Sequence, residues 1–88
     1  MEKEILDFWA DGCGNCKMLE PILAQIENEY PDIKVTKLNI KDSEDLVIKY
    51  EVMSLPTLVF LKNGEAVGDM VGLKPKSLIA RKIAEVFG

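Results

Sequence analysis

The sequence has no histidine, only two cysteines and a single tryptophan. Without an imidazole, cysteine–histidine nucleophilic catalysis of the protease kind is excluded. A zinc site also loses one of its preferred ligands. With only Cys13 and Cys16 to offer, the usual four-ligand set would have to be completed by a second subunit, so no metal is expected. Two cysteines three apart do not make the framework of a disulfide-stapled secreted domain. A bridge between them closes a tiny loop and removes little unfolded-state entropy, so its purpose would be redox rather than stability. No apolar run approaches the ~20 residues of a membrane span. Positive charge is also short: 11 Lys and Arg against 15 Asp and Glu leave −4, the wrong sign for nucleic acid or an anionic membrane. The first residues, Met1-Glu2-Lys3-Glu4, run straight into a strand-like segment with no room for a signal peptide, so a cytoplasmic location is expected. Repeats, linkers and low-complexity segments are absent, and the 88 residues read as one domain, 1–88, with a thin core.

What is present reads as alternating elements. Glu4 to Trp9 is nearly continuous apolar sequence, as expected of a strand covered on both faces. Leu19, Ile22, Leu23, Ile26 and Tyr30 recur at spacings of three and four, predicting an amphipathic helix of roughly four turns that Pro21 should kink. Ile33 to Ile40 predicts a second strand, with Leu38 and Ile40 on one face and Val35, Lys37 and Asn39 on the other. Asp42 or Ser43 can cap a short helix carrying Leu46, Val47 and Tyr50. Thr57 to Leu61 is a third strand, and Lys62-Asn63-Gly64-Glu65 is a hairpin turn of the Asn-Gly type. Ala66 to Val71 returns as an edge strand weakened by Gly68. Pro75 opens a last helix bearing Leu78, Ile79, Ile83, Val86 and Phe87. The order βαβ-α-ββα predicts an α/β protein with a mixed four-stranded sheet and helices on both faces.

Chemistry concentrates in Cys13-Gly14-Asn15-Cys16, between the first strand and the first helix. A thiolate at a helix N-terminus meets unpaired N–H groups and the positive end of the dipole, which lowers its pKa from ~8.5 towards 7 or below. Cys13 is therefore the expected nucleophile, and Cys16, one turn on, the thiol that resolves a mixed disulfide. Asp7 lies in mid-strand between Ile5-Leu6 and Phe8-Trp9, so burial, a raised pKa and a proton relay to Cys16 are expected. Lys37 either pairs with Asp7 or reaches out to solvent. Trp9 either lines a groove beside the cysteines or joins the core. On sequence alone Leu55-Pro56 is a plain turn, because cis X-Pro is only ~5–6 % of such bonds.

Several of these motifs, in this order, resemble the thioredoxin family along almost the whole chain. Asp7-Phe8-Trp9-Ala10 followed by Cys13-x-x-Cys16-Lys17 is similar to the family's active-site strand and helix start. Pro21 falls at its kink proline, Lys37-Leu38-Asn39-Ile40 resembles the strand holding its buried lysine, and Leu55-Pro56-Thr57 resembles its cis-proline loop. Val71-Gly72 resembles the segment carrying the glycine near the substrate groove. The resemblance implies a thioredoxin-like fold and reduction of protein disulfides, with Cys13 attacking, Cys16 resolving, and Asp7 and Lys37 tuning proton transfer. It implies a cis Pro56, and a substrate surface around Trp9, Gly12, Gly14, Asn15, Leu55, Pro56 and Gly72. It further implies no cofactor beyond the redox disulfide, a monomer, and recharging by a thioredoxin reductase or related flavoprotein. Three features depart from the family pattern. Gly12 stands where the family has a tryptophan, Asn15 where it has a proline between the cysteines, and the usual N-terminal strand and helix are missing, much as in glutaredoxins. Two other readings stay open: a glutaredoxin-like donor dedicated to one reductase, and a non-catalytic binding module on the same scaffold.

Overall fold

The computed structural model describes all residues, Met1–Gly88. Strand β1 (Lys3–Trp9) lies in the middle of the sheet, and the alternation of its side chains divides the core in two. Ile5 packs on one face with Leu58 and Phe60 from the sheet, under Leu19, Leu23 and Ile26 of α1 (Gly14–Glu29) and Ile79, Ile83 and Phe87 of α3 (Lys76–Phe87). Leu6 and Phe8 pack on the other face with Val59 and Leu61, covered by Leu46 and Val47 of the short α2 (Glu44–Lys49) and by Tyr50. Helices thus lie on both faces, as the order of elements predicts. A residue such as Phe8, with no exposed surface, contributes on the order of 1.5–3 kcal/mol by burial alone.

Helix α1 runs 16 residues through Pro21, whose absent N–H leaves the Lys17 carbonyl without its usual helical partner. It ends at Tyr30, whose N–H donates to Ile26 O, and Pro31-Asp32 then turn the chain into β2 (Ile33–Asn39). Strand β2 is one residue shorter than expected. Asn39 accepts the Lys41 N–H on its side-chain oxygen at 3.1 Å, drawing Ile40–Asp42 into a 3-10 turn, although Ile40 still packs with Leu38 on the α2 side. Ser43 precedes α2 but gives it no side-chain cap. The last helix differs from expectation at Leu78, which is exposed: the inward stripe is Ile79, Ile83 and Phe87, at strict four-residue spacing.

The sheet order is β2-β1-β3-β4, with β1 parallel to β2 and antiparallel to β3 (Thr57–Lys62), and β3 antiparallel to β4 (Glu65–Val71). Asn63 and Gly64 join the hairpin with φ of 52° and 83°, the type I′ geometry that Asn-Gly accommodates. Gly68 lies close under α3. A Cβ there would lie 2.8 Å from Lys82 Cε and 3.1 Å from Val86 Cγ1 of α3. Register aligns Phe8 with Thr57 and Thr57 with Val71, so one end of three adjacent strands converges on a common edge. No helix is long and apolar enough to cross a membrane.

Candidate active site around Cys13 and Cys16

After Trp9 the chain leaves β1 through Asp11-Gly12, and the Cys13 N–H donates back to Ala10 O at 3.3 Å. Gly12 has φ +80°, a backbone that side chains rarely adopt, and nothing stands within 4 Å of where its Cβ would be. This side of the cysteines is open. Cys13 is the N-cap of α1, extended at φ −86° and ψ 104°, and its Sγ accepts the Cys16 N–H at 3.2 Å. A sulfur carrying negative charge there would keep that bond and face the positive end of the helix. The two cysteines are joined as a disulfide across a Cα–Cα distance of 5.3 Å. They are not equivalent: Cys13 is half-buried and Cys16 is 5 % exposed. Gly14 and Asn15, the first two residues of α1, are exposed beside them.

Asp7 is buried, 3 % exposed, on the face of β1 that α1 covers. Its Oδ1 has no hydrogen-bond partner. Loss of water around the carboxylate is the largest influence on it, raising its pKa from 3.8 to about 6; the Lys37 charge opposes that rise and the Glu20 charge adds to it. Register sets Lys37 directly beside Asp7. Lys37 is nevertheless exposed and forms no ion pair, which corrects the expectation of a buried lysine. The reason is its strand: β2 is the sheet edge, where a long side chain reaches water while its charge still acts on Asp7 through space. Trp9 is half-buried and belongs to neither core cluster, and its Nε1 is buried without a partner.

A second segment reaches the same edge of the sheet. The Leu55–Pro56 bond is cis, as the resemblance and not the base rate implied. Pro56 is buried, Thr57 Oγ1 donates to Ser54 O at 2.6 Å, and the Gly72 N–H donates to Pro56 O at 2.8 Å, tying this loop to the end of β4. The backbone N–H and C=O of Leu55 bond to no other backbone group of the chain. Beside the loop is a hollow of about 320 Å³ lined by Ile40, Val47, Val52, Met53, Ser54 and Leu55. Sequence reasoning missed three neighbours. Met53 is 92 % exposed, Asp11 pairs with Lys41 at 2.9 Å across the mouth of the β1–α1 turn, and Glu20 bears on Asp7. Only Glu20 left a signal, its position one helical turn beyond Cys16.

Residues 1–85 match the family model described as Thioredoxin. The thioredoxin of Bacillus subtilis is 43 % identical over 76 residues, spanning 85 % of this chain and 73 % of the relative. That of Chlorobaculum thiosulfatiphilum is 39 % identical over 85 residues, or 96 % and 79 %. Among solved structures, oxidised mitochondrial thioredoxin 3 of Saccharomyces cerevisiae superposes with a TM-score of 0.88 at 32 % identity, covering 96 % of this chain and 78 % of its own. A half-buried cysteine capping a helix, bonded to a buried one a turn later, gives this chain an accessible sulfur and a sheltered partner in one disulfide. The chain belongs to the thioredoxin family and is a thiol–disulfide oxidoreductase.

Proposed function

We propose that this chain reduces disulfides in protein substrates by two successive exchanges. The Cys13 thiolate attacks one sulfur of the substrate disulfide, forming a mixed disulfide and expelling the first substrate thiolate, which takes a proton from water. Cys16 then gives its proton to the Asp7 carboxylate and attacks Cys13 Sγ, closing the internal disulfide and expelling the second thiolate. Two electrons leave the protein, and the two sulfurs carry them without any further cofactor. The observation that carries this reading is the unequal exposure of the bonded pair, which lets a protein substrate reach Cys13 and not Cys16.

Substrate docking follows from the free backbone groups of Leu55, which can pair with an extended peptide as a short added strand. Trp9, Gly12, Gly14, Asn15, Pro56 and Gly72 border that path, and the open side at Gly12 leaves room for bulk next to the scissile disulfide. Lys37 and Asp7 act on the proton rather than on the substrate. Electrons are returned by a thioredoxin reductase or related flavoprotein, with the chain acting as a monomer in the cytoplasm, where such a couple is kept reduced. The test is a Cys16→Ser trap: with no resolving thiol, Cys13 retains its protein partners as mixed disulfides that mass spectrometry identifies. If Cys13 stays reactive and no disulfide-linked protein is recovered, the reading fails. Recycling by glutathione alone, without a flavoprotein, would make the chain a glutaredoxin-like donor instead.

A further inference from the structure

The turn that delivers Cys13 to α1 is tied to the neighbouring strand end by a side chain. Asp11 and Gly12 make no backbone hydrogen bond, and the turn's own bond runs from Cys13 N–H to Ala10 O. Register pairs Trp9 with Asn39, so Asp11, two residues on, arrives beside the 3-10 turn that Asn39 opens. There Lys41 Nζ donates to Asp11 Oδ2 at 2.9 Å, and the Lys41 N–H is itself fixed on the Asn39 side-chain oxygen at 3.1 Å. Asp11 precedes Cys13 by two residues, and Gly12 between them has no side chain to stand between carboxylate and sulfur. Other charges here are few. Lys17 bears on Asp11 from α1, Asp42 bears on Lys41 from its own turn, and Asp7 is buried on β1. Residues 52–58 and 71–73, which carry the Pro56 loop and Gly72, hold no charge.

We propose that Lys41 is a positioning residue for the exchange reaction. It holds the Asp11 carboxylate against the 3-10 turn and offsets its charge, so the Cys13 thiolate forms without an unpaired anion two residues away. The side chains of the pair are 66 % and 67 % exposed, and an ion pair so placed stabilises a fold little, so its effect is local. Released from Lys41, Asp11 would stay ionised in water, and its field would oppose a second negative charge at the N-terminus of α1. No proton or electron passes through Lys41. The proposal rests on the reading of Cys13 as the attacking thiol and adds what keeps that thiol readily ionised.

The test follows iodoacetamide alkylation of the reduced protein against pH, with mass spectrometry assigning the modified cysteine. It compares wild type, Lys41→Gln, Asp11→Asn and the double variant. At low salt Lys41→Gln raises the Cys13 midpoint by on the order of a few tenths of a pH unit, and Asp11→Asn lowers it. Adding Asp11→Asn to Lys41→Gln returns the midpoint to the wild-type value or below, because the uncompensated charge is gone. At about 1 M salt, where screening acts within roughly 3 Å, both single variants coincide with wild type. An unmoved midpoint in Lys41→Gln at low salt overturns the proposal. A rise that persists in the double variant does so too, because it would mark a displaced turn rather than a charge. Cys13 alkylated first with equal midpoints in all four proteins defeats the proposal alone. Alkylation of Cys16 before Cys13 in the wild type defeats the attacking-thiol reading as well.

Discussion

At the residue scale, the burial of the Asp7 carboxyl costs stability once it ionises. Its pKa is about 6 in the folded chain against 3.8 for a free carboxylate, so between those values the folded state binds more protons than the unfolded one. Stability therefore falls as pH rises from about 4 to 6, and the full penalty, about 3 kcal/mol, is present above that window. Asp7→Asn, which cannot ionise, removes this dependence. Denaturant unfolding should show the variant gaining on the wild type by about 2–2.5 kcal/mol between pH 4 and pH 7, with little further change above. A constant difference across that range would mean that Asp7 is ionised and well solvated. The burial of Asp7 was legible in its apolar flanks. The exposure of Lys37 was one of the two outcomes its residue type allowed, and what decides between them, the position of β2 at the sheet edge, is not revealed by local sequence.

At the element scale, the site depends on where strands and helices end. Cys13 caps α1 only because the Asp11-Gly12 turn delivers it there, and the cis Pro56 loop is held at the same edge by the Gly72 N–H. Strand β4 passes close under α3 at Gly68. Gly68→Val would push against Val86 and Lys82 and should destabilise the fold by about 1–3 kcal/mol. Val67→Thr, at an exposed neighbour, should change stability by less than about 0.5 kcal/mol. Comparable losses in the two variants would contradict the close approach of α3. Apolar patterning and turn signals located every strand and α-helix but not the 3-10 turn at Ile40–Asp42, and they failed at two ends. Ile40 was counted into β2 because it packs like a strand residue, yet the Asn39 side chain has already turned the backbone. Leu78 was counted into the inward stripe of α3, which its neighbour Ile79 occupies instead.

At the scale of the whole molecule, residues far apart in sequence meet because β1, β3 and β4 are neighbours in register. Phe8, Thr57 and Val71 align at one sheet edge, which gathers the loop at Pro56 and Gly72 at the end of the sheet where β1 leads into the Cys13 turn. The sheet order itself was only partly legible: the crossover implied a parallel pair and the Asn-Gly turn an antiparallel one. The central position of β1 shows only in the structure. Cys13 and Cys16 stood out because nothing else in the chain has their reactivity, whereas the smaller influence of Glu20 on Asp7 needed the helix placed over the sheet. The central claim is that Cys13 and Cys16 interconvert between dithiol and disulfide as a working redox couple. Its most direct test equilibrates the protein with thiol–disulfide buffers from about −330 to −150 mV and follows the loss of two hydrogens by mass spectrometry. One reversible two-electron transition is expected within that range, abolished in Cys13→Ser. A pair that stays fully bonded or fully reduced throughout would contradict it.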